Sequence, residues 1–466
     1  MQDFQPLLDA RDLILKAVTA HYRATGANIK SEKDLPKSED WPDTGLVRRE
    51  RYPWNDIEPD RFSPESIEHV NAEMTKVAPK LEVRATELPN LTSSGDKTQT
   101  VMQLGVFAKE DIEPGEVVLR ETSLLTANNR LQDALCDACS ADLPDLRSTS
   151  TIASSPDSDT PTVSCETCAA VFCSASCYSA AMASYHPALC DMDVDSIARD
   201  VPPARAADSL YLLLLLRALA MAETQDVHPL TPNEVKYIWA DYSVADLDRD
   251  WRASVPGPSE TARNAGVSQR DGDAPVDFFC NMPRTLPFSF DSNVVLPLHM
   301  LTKMDVDVFA QHARYDGWVF NTLYAKFRGT ASARLSGLRD DKGTGIGRVR
   351  GPEVSAVHPN WCLANHSCDP NVRWEWGGEV RFWARGKRVR WRRGTGSEGG
   401  REDGKEAGKG EGREGRSTAG IKKGEEVLNH YCDIDLPVKA RREWAAGSLG
   451  GPCMCDRCRW EAGEVE

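Results

Sequence analysis

The chain has 466 residues, with 56 Lys and Arg against 71 Asp and Glu and a formal charge of −15. That length leaves room for two or three domains. The charge repels phosphate backbones and favours cationic partners, which argues against a nucleic-acid binder. Hydrophobic content of 40% suffices for a core. The start, "MQDFQPLLDARDLILKAV", is acidic and amphipathic, unlike a secretory signal. The 14 cysteines are therefore expected to be reduced, and clustered reduced thiols point to metal.

In chain order, residues 1–30 read as a helix and 31–98 as Pro-rich, charged loops, together an N-terminal extension over 1–98. Residues 99–130 contain "VMQLGVFAKEDIEPGEVVLRETSLLT", a strand, an "EPGE" turn and a strand. A Cys-dense unit fills 131–191, interrupted by "STSTIASSPDSDTPT", whose composition is that of a disordered segment. The stretch 192–350 reads as a helical insert. Its run "LYLLLLL" at 210–216 is far below the ~20 residues of a membrane span and reads as a buried helix. Within the insert, 251–275 is loop-like, 292–298 strand-like, and "RGTASAR" at 328–334 is a candidate for a substrate groove. Strands are expected to dominate from 354 onward. "NVRWEWGGEVRFWARG" alternates large and polar residues around Gly377-Gly378, a hairpin pattern. Inside the unit 351–435, the Gly-, Arg-, Glu- and Lys-rich stretch 385–420 is a low-complexity loop. Residues 436–466 form a tail.

The cysteines carry the first chemistry. Cys136-x2-Cys139, Cys165-x2-Cys168, Cys173-x3-Cys177 and His186-x3-Cys190 supply seven thiols and one imidazole, enough for two tetrahedral four-ligand zinc sites. In the tail, "GPCMCDRCRW" gives Cys453, Cys455 and Cys458, one ligand short of a structural site. Cys280, Cys362, Cys368 and Cys432 all remain candidates for the fourth. Cys368 lies in "LANHSCDPNV" (363–372), which concentrates polar side chains where the chain enters its core.

"NHSCDPN", then "GEEVLNHY", then the Cys-x-Cys-x2-Cys tail resemble a SET-domain protein lysine methyltransferase. "LGVFAKEDIEPGEVVLRE" is similar to the first part of that domain. The cysteine-rich unit resembles an inserted MYND zinc finger, as in a fungal-like SET-and-MYND protein lacking the helical C-terminal domain. The resemblance implies an α+β fold, a β-rich core of small curled sheets in which the "NHSC" segment and the strand ending at Tyr431 form a pseudoknot. It implies a zinc-binding post-SET tail and two interleaved finger sites. Cys136, Cys139, Cys173 and Cys177 would hold one ion; Cys165, Cys168, His186 and Cys190 the other. Cys368 would join Cys453, Cys455 and Cys458 on a third structural zinc.

By the same resemblance, Leu104, Gly105, Val106, Asn365, His366 and Tyr431 would bind S-adenosylmethionine, with Tyr431 also catalytic between cofactor and lysine. The implied substrate is a lysine-bearing basic protein such as a histone, with a Pro-rich peptide as a possible partner of the finger. No membrane is implied, and the expected location is nucleus and cytoplasm. Two positions depart from the family pattern. Gln103 replaces the first glycine of a Gly-x-Gly turn, and "SLGGP" replaces aromatics before the tail cysteines. The lysine channel is then wider, takes an aromatic from elsewhere (Trp444 is near in sequence), or fails to close. The alternative is a scaffold that recruits partners through the finger and has lost its activity.

Overall fold

The computed structural model describes residues 50–51, 56–89, 100–128, 135–143, 162–192, 206–239, 243–244, 296–334, 354–387, 389–392, 412–415, 419–449 and 452–465. The helix expected over 1–30 and the loops over 251–275 lie outside these residues.

β1 (Glu50–Arg51) is a two-residue strand. α1 (Pro64–Val77) begins where the Ser63 hydroxyl accepts the Ser66 N–H, with Pro64 in the first turn. It buries Val70 and Met74. Asn71 ties it to β2 (Leu81–Pro89), donating to the Val83 carbonyl and accepting the Val83 N–H. β2 pairs antiparallel with β3 (Thr100–Ala108) along its whole length, Leu81 opposite Ala108 and Pro89 opposite Thr100. The loop expectation for 31–98 is thus corrected over 64–89. Charges on the exposed faces of α1 and β2 hid one apolar stripe and one alternating strand.

After a turn with Gly115 at φ +85°, β4 (Val117–Thr122) runs away from β3 to another sheet. β5 (Thr126–Asn128) follows. The cysteine-rich segment holds β6 (Val163–Ser164), β7 (Val171–Phe172), α2 (Ala175–Ser184) and α3 (His186–Leu189). Ser174 caps α2 by accepting the Cys177 N–H at 3.2 Å, which fixes that thiol's direction. α4 (Ala206–Gln225) contains the apolar run, buried on all sides as a core helix should be. Its leucines form one cluster with Cys136, Cys139, Phe172 and Tyr185. Arg217 fastens it further, donating to the Asp137 carbonyl and lying 3.5 Å over the Tyr185 ring.

α5 (Asn233–Lys236) leads to β8 (Ser243–Val244), parallel to β1. α6 (Leu296–Lys303) is a helix where 292–298 was expected as strand. Pro297, Met300 and Leu301 turn one helical face inward, a period that so short a run does not distinguish from alternation. In α7 (Gly317–Thr330), Lys326 is buried against Glu58 at 3.2 Å and the Ile238 carbonyl at 2.6 Å. β9 (Ser332–Arg334) covers the end of the groove candidate 328–334 and pairs with β10 (Val354–Ala356), whose other edge takes β5. No helix among the described residues is long and apolar enough to cross a membrane.

β11 (Val372–Trp376) and β12 (Glu379–Ala384) form the expected hairpin, with Gly378 at φ +103°, and β4 adds to the outer edge of β12. The low-complexity stretch is ordered at both ends. β13 (Arg390–Arg392) pairs with β14 (Gly412–Glu414), and Trp391 is buried beside Trp460. The strand expected to end at Tyr431 is corrected. Residues 419–431 form isolated bridges instead, pairing in turn with Ile112, Phe107 and His366. A segment that changes partner every few residues keeps no single ladder. The tail adds α8 (Val438–Leu449) and α9 (Asp456–Glu461), so strands do not dominate to the end. The fold is α+β, built of small sheets that are antiparallel apart from the β1–β8 pair, and a second core lies between α1, β2, β3 and the hairpin.

Candidate active site and metal centres

The outer edge of β3 meets residues 424–427. Gly424 donates to the Ala108 carbonyl at 2.7 Å, and Val427 to that of Val106 at 2.7 Å. Alongside runs the segment 365–371. Asn429 donates to the Asn365 carbonyl and accepts from the Ser367 N–H, both at 2.7 Å, in a parallel bridge. Asn371 fastens the same junction, donating to the Glu426 carbonyl at 2.7 Å and accepting the Leu428 N–H at 2.8 Å. β3, "NHSC" and "GEEVLNHY" therefore share one line of hydrogen bonds.

Site residues converge there. Asn365 Nδ2 donates to the Leu104 carbonyl at 3.0 Å and to Glu426 Oε1 at 2.8 Å. Leu104 and Val106 are buried. Gly105 lies between them, where a Cβ would fall 2.7 Å from Glu426 Oε1 and 3.1 Å from Asn365 Nδ2. A Cβ there would push aside the Glu426 carboxylate and crowd Thr86 and Asn365, so glycine suits this approach. The Tyr431 hydroxyl donates to the Ala364 carbonyl at 2.9 Å, one residue from Asn365, and its N–H donates to His366 Nδ1 at 2.9 Å. Burial pulls the His366 pKa down to about 4, so the ring is neutral. Burial raises the Glu426 pKa, partly opposed by the Asn365 hydrogen bond. His430 is shifted down by burial and packs beside Trp374, its ring 5.9 Å away. Ser367 Oγ accepts the Asp369 N–H at 3.1 Å, a turn role.

Three four-residue clusters bring their ligand atoms within 4.8 Å of one another: Cys136, Cys139, Cys173 and Cys177; Cys165, Cys168, His186 and Cys190; and Cys368, Cys453, Cys455 and Cys458. Bonds of about 2.3 Å to sulfur at tetrahedral angles put sulfurs about 3.8 Å apart, and sulfur about 3.6 Å from an imidazole nitrogen. The observed spacings include 3.7 Å for Cys139–Cys173, 3.7 Å for Cys165–Cys190, 3.6 Å for Cys168–His186 Nε2 and 3.9 Å for Cys368–Cys453, with Cys173–Cys177 at 3.5 Å and Cys368–Cys458 at 3.4 Å shorter. The donor sets fit zinc in type, number and spacing. His366, Cys368 and Cys432 form a fourth group that shares Cys368.

The tail cluster has cationic support. Arg441 is buried, donates to Glu461 Oε2 at 2.5 Å and lies 3.7 Å from Cys458 Sγ. Arg457 donates to the Cys368 carbonyl at 2.8 Å. Four thiolates around a divalent ion would leave two net negative charges; Arg441 and Arg457, both also paired with Glu461, offset part of this.

Trp444 is 48% exposed on α8, and Leu449 packs against the tail thiols. Gln103 accepts from Arg61 Nη1 at 2.7 Å. Sequence reasoning passed over Glu426, Asn371 and Arg441. Two adjacent carboxylates in "GEEVLNHY", beside the buried Val427, were the available signal for Glu426.

The SET domain family matches residues 103–432, and the chain belongs to that family, whose members are generally protein lysine methyltransferases. No curated protein shows significant similarity to it.

Proposed function

We propose that the chain is an S-adenosylmethionine-dependent protein lysine N-methyltransferase whose cysteine-rich segment is a MYND-type finger inserted into the SET domain. One observation carries this reading: the Asn365 amide, the Gly105 approach and the Tyr431 hydroxyl meet at one junction next to the four tail thiols. Leu104, Gly105, Val106, Asn365, His366 and Tyr431 would hold the cofactor, at the point where the bare Gly105 backbone lets the Asn365 and Glu426 side chains come close. When bound, S-adenosylmethionine supplies an electrophilic sulfonium methyl.

The chain's own residues must then present a neutral amine. Deprotonating a free lysine of pKa near 10.4 at pH 7 costs about 4.6 kcal/mol. A cleft that excludes water lowers this cost by disfavouring the ammonium. Tyr431 orients the amine through its hydroxyl, and alignment supplies much of the remaining rate. All three zincs are structural. They hold together segments with little apolar core of their own, and the tail site bridges "NHSC" to α9.

The charge of −15 suits a basic substrate such as a histone, in nucleus or cytoplasm. A Pro-rich peptide is the partner assigned to the finger.

The scaffold reading draws on Gln103, engaged with Arg61, and on Trp444, exposed rather than packed. Titration calorimetry separates the two. A methyltransferase binds S-adenosylmethionine, and Tyr431→Phe leaves that affinity within about threefold while cutting turnover by about a hundredfold. Zinc-loaded, folded protein that binds no cofactor would leave only the scaffold.

A further inference from the structure

Glu426 is a half-buried carboxylate at the Asn365 junction. It reaches from the irregular segment 419–431 against Gly105, with Oε1 held by a neutral donor, Asn365 Nδ2, at 2.8 Å. Oε2 makes no hydrogen bond, and no Lys, Arg or His side chain pairs with the carboxylate, among the described residues. Its neighbour Glu425 differs, accepting the Lys422 N–H at 2.9 Å as an ordinary turn group. A half-buried carboxylate without a counter-charge is costly to ionise. Such groups cluster at functional sites, where a bound cation can supply the missing charge.

We propose that Glu426 is the cation-recognition residue of the cofactor cleft, its carboxylate receiving the ammonium of S-adenosylmethionine. This rests on the methyl-donor reading above. The cofactor carries two positive charges, and the chemistry chooses between them. A carboxylate on the sulfonium would stabilise the reactant more than the transition state, in which that charge is already passing to the amine. On the ammonium it holds reactant and transition state alike, so it contributes affinity and orientation without raising the barrier. Asn365 then has a second task, fixing the carboxylate by one oxygen.

Glu426→Gln tests this, because glutamine keeps an acceptor for Asn365 and loses only the charge. Calorimetry with S-adenosylmethionine and with S-adenosylhomocysteine, which has the ammonium but no sulfonium, is expected to show both weakened about ten- to a hundredfold. Wild-type protein should lose the same factor towards a homocysteine analogue lacking the amino group. Glu426→Gln should lose nothing further towards that analogue. Unchanged affinity for both cofactors overturns the proposal, as does weakening of S-adenosylmethionine alone. If the variant fails to fold, the amino-less analogue on wild-type protein decides, and equal affinity for analogue and parent overturns the assignment. Wild-type protein that binds neither cofactor contradicts the methyl-donor reading itself, a result distinct from these.

Discussion

At Gly105, the absence of a side chain lets Glu426, Thr86 and Asn365 crowd one backbone position. An alanine methyl there would sit 2.7 Å from Glu426 Oε1 and 3.0 Å from Thr86 Cγ2, on a strand whose two sides are both occupied. Gly105→Ala is expected to lower cofactor affinity at least about tenfold, with a modest fall in thermal midpoint, since overpacking costs about 1–3 kcal/mol; calorimetry showing unchanged affinity would contradict this placement of the cofactor. A second residue speaks to pH. His358 is fully buried, both ring nitrogens lack partners among the described residues, and burial pulls its pKa from 6.5 down to about 3. Between those values the unfolded chain takes up a proton that the folded chain refuses, so His358 costs stability increasingly as pH falls below 6.5. His358→Phe keeps a ring against Trp361 and Trp376. Its advantage over wild type should grow by up to about 1.4 kcal/mol per pH unit below that point. Urea titrations showing one constant gap across the window would refute this. Residue types and spacing were legible in "NHSCDPN" and in the cysteine pairs, because few other arrangements use so many ligands so closely. His358 and Glu426 were not, because what sets them apart is a missing partner, which a sequence does not display.

Elements were legible where one face of a pattern was strong. The apolar run of α4 and the Gly-Gly hairpin gave their types away, whereas α6 and α8 hid behind short or highly charged periods. The tail is the element with the sharpest consequence. Cys368 joins Cys453, Cys455 and Cys458, while Cys432 belongs to the overlapping group with His366. If the four-thiol set holds the ion, Cys453→Ser should lower bound zinc from three to two per chain, and Cys432→Ser should leave three. Native mass spectrometry counts them, and the reverse pattern would reassign the site. α9 is also braced by the base of the low-complexity stretch. Trp391, 1% exposed, packs against Trp460 with the rings tilted, and the Arg392 N–H donates to Glu461 Oε1 at 3.0 Å. Trp391→Ala is expected to cost about 3–5 kcal/mol. A loss below about 1 kcal/mol in chemical unfolding would mean that this ribbon merely adjoins the tail.

Across the whole molecule, the cysteine-rich segment and the hairpin sheet are packed units rather than beads. The hairpin tip presses on the first cluster: a Cβ at Gly378 would lie 2.6 Å from Ala141 Cβ and 3.3 Å from Cys139 Sγ. α4 and Arg217 hold the same segment from the other side. No spacing rule foretold this contact, because it joins surfaces more than two hundred residues apart in sequence. The three clusters, the β3 edge and the "NHSC" junction together give the account its central claim, that the cleft beside Tyr431 moves a methyl group onto lysine. Its most direct test is mass spectrometry of basic proteins and cell lysate incubated with zinc-loaded protein and methyl-deuterated S-adenosylmethionine. The account predicts trideuteromethyl groups on lysine ε-nitrogens, nearly absent with Tyr431→Phe. Cofactor-binding protein that labels no lysine, or labels equally well without the tyrosine hydroxyl, would contradict it.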